Sequence, residues 1–159
     1  MCLSILLTKK EKDKILKNIS RKGLTVYKVV EVCNSEYYPI YRELDIEKSH
    51  FSEGKNVDIP RVKKIRTEDK IPTYYKAGFH FFKKYKDALK SLKYLTNIHK
   101  NKKFKFIECK IHKSWIIAMG MNFIEITGGG EESFGVSIVA NKAIFPDKNV
   151  ENEKDQKCA

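Results

Sequence analysis

Residues 78 to 111 read as strand, helix and strand in direct succession. That order commits the chain to a sheet with a helix lying across it. Gly78-Phe79-His80-Phe81-Phe82 is a short aromatic run bounded by glycine and lysines, the pattern of a strand entering a core. Tyr85–Asn97 then changes period: Tyr85, Ala88, Leu89, Leu92 and Leu95 share one helical face, and Lys84, Lys86, Lys90 and Lys93 cover the other sides. Phe104–Ile111 alternates as a strand. Two strands joined through a helix also suggest one parallel pair.

The other segments lead to the same class. Thr8 and Glu11 form a capping box, so a helix follows to about Ser20, with Ile15, Leu16 and Ile19 as its apolar stripe and Gly23 closing it. Leu24–Val32 is rich in β-branched residues and reads as a strand. Tyr37–Tyr41 is a short extended piece. Asp45 to Thr73 holds few apolar residues and two prolines, which predicts a long, partly irregular excursion with a strand near Arg61–Arg66. Trp115–Met119, Phe123–Thr127 and Phe134–Phe145 supply the last strands, the final two joined through Gly128, Gly129 and Gly130. The expected fold is α+β: a curved, mostly antiparallel sheet with two main helices, in a single domain over residues 1–146. Residues 147–159 are polar and read as a disordered tail.

Charge is distributed very unevenly. Between Arg61 and Lys113 lie 17 of the 32 basic residues against four acids, a net of about +13, while the remainder is close to neutral. A local excess of that size attracts a polyanion: nucleic acid, a nucleoprotein or an acidic protein surface. The cations are 28 lysines and only four arginines, which favours point contacts to phosphate over bidentate reading of bases. Within the run, aromatic rings interleave with lysines, a combination that stacks bases and holds phosphates. The candidate polyanion-binding residues are Lys63, Lys64, Arg66, Tyr74, Tyr75, Lys76, Lys83, Lys84, Lys86, Lys100, Lys102 and Lys103. Tyr74 and Tyr75, just after Pro72, are the rings expected at the surface. Phe79, Phe81 and Phe82 are expected in the core.

Other chemistry is sparse. Cys2, Cys33, Cys109 and Cys158 make no C-x-x-C pair, so a disulfide framework or zinc ribbon is not expected, and reduced thiols in the cytoplasm are. His50, His80, His99 and His112 have no metal-ligand spacing. No apolar run approaches the roughly 20 residues of a membrane span, and residues 1–7 lack the basic start and cleavage site of a secretory leader. The Gly128-Gly129-Gly130-Glu131-Glu132 stretch lacks the lysine of a P-loop.

From Gly78 to Phe145 the chain resembles the ADP-ribosyltransferase fold. The matching features are the glycine–aromatic strand Gly78-Phe79-His80-Phe81, the small residue Ala88 on the following helix, and a glutamate before a penultimate strand, here Glu131 or Glu132. The resemblance implies an NAD pocket with Glu131, Glu132 and His80 as catalytic candidates. The His or Arg of that family's first strand is absent from Leu24–Val32, and Arg42 is the nearby substitute. The G-F-H-F-F stretch, small size and lysine content also resemble uncharacterised proteins of phages and mobile elements, many of which bind and block host machinery, including nucleic-acid-directed immunity. The leading expectation is a binding protein without cofactor or metal that docks a polyanionic partner and inhibits host or defence machinery. The alternative is an NAD-using enzyme or a degenerate NAD-pocket protein.

Overall fold

The computed structural model describes residues 3–40, 51, 54–57, 61–65, 73–126 and 130–146; at 55–57, 61–65, 73, 74, 77, 124–126, 130 and 131 it describes the backbone alone. The expected tail, Arg42 and Arg66 lie outside the described residues. The elements are β1 (Ile5–Leu6), α1 (Lys9–Lys17), β2 (Leu24–Cys33), β3 (Glu36–Tyr38), β4 (Gly54–Val57), β5 (Arg61–Ile65), β6 (Thr73–Ala77), β7 (Phe79–Phe82), α2 (Tyr85–Ile98), β8 (Phe104–Ile111), β9 (Ile116–Ile126), β10 (Gly130–Ala140) and β11 (Lys142–Phe145). A single 3₁₀ turn at Lys113–Trp115 links β8 to β9.

Nine strands form one sheet in the order β1-β9-β10-β7-β2-β8-β11-β4, with β3 paired to β2. The fold is α+β and every described strand pair is antiparallel. The expected parallel pair does not form. β2 inserts between β7 and β8, pairing Tyr27 with Phe82 on one side and Leu24–Glu31 with Phe104–Ile111 on the other. The strand–helix–strand unit is therefore split by a strand from earlier in the chain, and β2 supplies the hydrogen bonds that a direct β7–β8 contact would have made.

The alternation of β2 divides the core between two faces. Val26 and Val30 join Phe81, Ile107, Ile111, Met119, Ile138 and Phe145 on one face. Val29 joins Phe82, Ala88, Leu95, Phe106 and Phe134 under α2 on the other. Phe79 lies on the fourth strand of the sheet order and Phe145 on the seventh, about 14 Å apart at flat-sheet strand spacing, yet their ring centroids are 5.8 Å apart, so the sheet curls. Register shifts in β10, between Ser133 and Val136 and between Val139 and Ala140, supply local bends for that curvature.

α1 begins at the expected box. The Glu11 amide donates to the Thr8 hydroxyl at 3.3 Å, and the Thr8 amide donates to the Glu11 carboxylate at 2.8 Å. The bonds from the Thr8 side chain and backbone hold the Glu11 carboxyl below its usual range. The helix stops at Lys17, short of Ser20, and Ile15 and Leu16 rest against the core. The sequence divides β9 into two strands at Gly120-Met121-Asn122. The structure runs it straight through, because Gly120 lets β1 cross closely: a side chain there would overlap the Ile5 carbonyl. β4, unforeseen in the 45–73 excursion, pairs with β11, and β5 forms a two-stranded sheet with β6.

Cys33 is exposed and Cys109 is buried, and both are free thiols. Burial pushes the Cys109 thiol up from 9.0 to about 12, opposed in part by the Lys28 ammonium. The fold favours the protonated thiol. Its contribution is therefore fully present below pH 9 and is lost as pH climbs from 9 toward 12. Between pH 8 and 10 the wild type is expected to lose roughly 1 kcal/mol more unfolding free energy than Cys109→Ala, by urea denaturation. Parallel losses in the two proteins would contradict this assignment.

Candidate functional site

α2 carries its lysines outward because its apolar residues are spent on the sheet. Ala88, Ser91 and Leu95 are buried, while Lys86, Lys90 and Lys93 recur three and four residues apart on the opposite side. The entry to the helix is fixed by β10: the Lys83 amide donates to the Val136 carbonyl at 3.0 Å. Phe134 is held between Phe82 and Tyr94, with ring centroids 6.3 and 5.9 Å away. Gly135 has φ +76°, the left-handed region that favours glycine, and a side chain there would displace the Asp87 carboxylate at the first turn of α2.

The lysines of this face divide into paired and unpaired groups. Lys90 meets the Glu132 carboxylate at 2.6 Å and donates to the Ser133 carbonyl at 2.9 Å. Lys102 pairs with Glu31 at 3.1 Å. Both pairs reach solvent and contribute little to stability. Lys84, Lys86, Lys93, Lys100 and Lys103 are exposed and make no ion pair among the described residues. Two of them run against helix stability. Lys84 is the N-cap and offers no capping bond, and Lys86 sits in the first turn, at the positive end of the helix dipole. Their charges add to the field that the dipole already projects there.

Lys83 is half-buried beside this face, and Lys100, Lys102 and Lys103 lie in the loop at the other end of the helix, where the Val32 amide donates to the Lys103 carbonyl at 2.8 Å. Lys93 was not among the candidate binding residues; its signal is the seven-residue spacing from Lys86, two turns along one stripe. Lys76 is exposed on β6. Lys63 and Lys64 stand on β5, in register with Tyr75 and Tyr74. The basic run is thus spread over the separate β5–β6 pair, α2 with its flanking loops, and β8 with the turn after it, which carry Lys105, Lys110 and Lys113; Arg66 falls outside the described residues.

Tyr75 corrects the expectation of an exposed ring. It is 6% exposed and packs with Leu3, Ala118 and Val139. The residues near Pro72 are polar, but the tyrosine hydroxyl finds partners from distant segments: the Leu3 amide donates to it at 3.1 Å, and it lies 2.9 Å from His80 Nε2. His80 Nδ1 is 2.9 Å from the Gly78 carbonyl, which can only accept, so Nδ1 carries the proton in that bond and Nε2 accepts from Tyr75. The His80 carbonyl in turn accepts from Lys28 at 3.1 Å. This chain of bonds ties the N-terminal segment, β6 and β7 together, a structural use of the histidine.

His80 stays far from the glutamates of the NAD reading. It is in register with Val139, and Glu132 lies seven residues away on the same strand, about 20 Å at the rise of a β-strand. Glu132 is engaged by Lys90, and Glu131 is in register with Glu125. His80 and Glu132 therefore do not form one site in this structure. Among the described residues, no group of three His, Cys, Asp or Glu side chains is placed to hold a metal ion. Nor is any helix there long and apolar enough to cross a membrane. Comparison of the chain with protein-family models, with curated proteins and with solved structures finds no match.

Proposed function

We propose that this protein is a binding protein that docks a polyanionic partner in the cytosol through the outward face of α2. The observation that carries this reading is the set of exposed lysines without ion-pair partners among the described residues: Lys86 and Lys93 on one stripe of α2, Lys84 at its N-cap, and Lys100 and Lys103 beyond the helix. α1 is a useful contrast: its lysines are interleaved with Glu11 and Asp13, whereas α2 has one acid, Asp87, which is packed against β10.

A face of this kind binds through counterion release, so its affinity must fall steeply with salt. The protein is expected to be retained on immobilised heparin at about 50 mM salt and to elute as salt rises through a few hundred millimolar. Passage through the matrix at the lower salt would contradict the reading.

A further inference from the structure

We infer that the partner of the α2 face is double-stranded DNA, held by its phosphates without base reading; this inference rests on the polyanion reading above. The chemistry of the face selects among polyanions. Its exposed cations, Lys84, Lys86, Lys93, Lys100 and Lys103, are all ammonium groups, with no guanidinium among the described residues of α2 and its following loop. Ammonium groups hold phosphate oxygens as point charges and lack the planar fork that reads guanine.

Single strands need exposed rings on which bases stack. The rings near this face are already engaged. Tyr85 packs edge-on against Tyr27 and Phe106, with centroids 5.8 and 5.0 Å away, and Tyr94 packs against Phe134. An acidic protein surface would need a desolvated apolar or aromatic anchor at the centre of its contact. On α2 the described exposed large apolar residue is Ile98, at the helix end and away from the middle of the lysine stripe.

Length is the remaining argument. Lys86 and Lys93 are seven residues apart on one stripe, about 10 Å at the rise of an α-helix; Lys84 flanks the stripe at the N-cap, half a turn out of phase with Lys93, and Lys100 and Lys103 extend the basic surface past the helix end. The major groove of B-form DNA is about 12 Å wide, a span that the Lys86–Lys93 stripe and the loop lysines beyond it together cover, so they reach phosphates on both rims. The deep, narrow major groove of A-form RNA does not present its rims in this way.

The test is fluorescence anisotropy of the full chain with a 20-base-pair DNA duplex (an arbitrary probe length of about two turns), its separated strands, an RNA duplex of the same sequence, and polyglutamate. For about five phosphate contacts, duplex DNA affinity is expected to fall about 500-fold between 50 and 200 mM salt. Exchanging the duplex sequence should leave affinity within about threefold, and the separated strands should bind at least about tenfold more weakly. The double variant Lys86→Ala, Lys93→Ala removes two contacts, so its salt-induced loss should shrink by about tenfold. Circular dichroism confirms that the variant is folded. Separated strands, RNA duplex or polyglutamate binding as tightly as duplex DNA would overturn this assignment and leave the polyanion reading standing. Retention on heparin with no binding to duplex DNA would do the same. Failure to bind any of these probes or heparin would overturn both.

Discussion

Phe81→Ala is expected to lower the unfolding free energy by about 3–5 kcal/mol, measured by urea denaturation. Phe81 is 1% exposed on β7, which lies inside the sheet between β10 and β2. Its ring centroid is 6.3 Å from that of Phe79 and 6.4 Å from that of Phe145, and the Lys28 ammonium stands 5.4 Å above it. Hydrogen-bonded strands on both sides prevent the site from closing, so the cavity term adds to the lost transfer energy. The Lys28 charge would also lose one of the two rings beneath it, the other being Phe51. Ile5→Ala is the control: Ile5 is 51% exposed and its loss should cost well under about 1 kcal/mol. A cost for Phe81→Ala as small as that of the control would mean that the curled face is not the core.

The second large effect is on binding. The triple charge reversal Lys84→Glu, Lys86→Glu, Lys93→Glu is expected to weaken heparin or duplex binding by more than about 100-fold at low salt, because three attractive contacts become three repulsive ones. All three side chains are exposed and have no ion-pair partner among the described residues, so folding should be spared. Replacing the N-cap and first-turn lysines with acids should even favour the helix slightly. The matching reversal on α1 at Lys9, Lys10 and Lys12 changes net charge equally and should weaken binding by roughly tenfold or less, through the long-range field alone. Equal losses in the two triple variants would mean that the net charge binds and the α2 face does not.

Local elements were legible where local chemistry decides them. The Thr8–Glu11 box marks the start of α1, and the spacing of Ala88, Leu92 and Leu95 orients α2. Phe104–Ile111 has the same limits in sequence and structure. What could not be read depends on segments far apart in the chain. Nothing within residues 78–111 signals that β2 will enter between β7 and β8, because that insertion is settled by the pairing of residues 24–31 with 104–111. Tyr75 looks like a surface ring beside Pro72 and Lys76 until Leu3 and His80 supply its hydrogen bonds. At the candidate site the lysines were legible as a group. Their division into paired and unpaired members was not, since Glu31 and Glu132, which engage Lys102 and Lys90, lie about 70 and 40 residues away.

Lysine acetylation footprinting by mass spectrometry, with and without saturating heparin at low salt, tests the central claim most directly. The account predicts strong protection of Lys84, Lys86, Lys93, Lys100 and Lys103 with little change at Lys9, Lys10, Lys14 and Lys17. Uniform protection across both helices, or protection centred on α1, would contradict it.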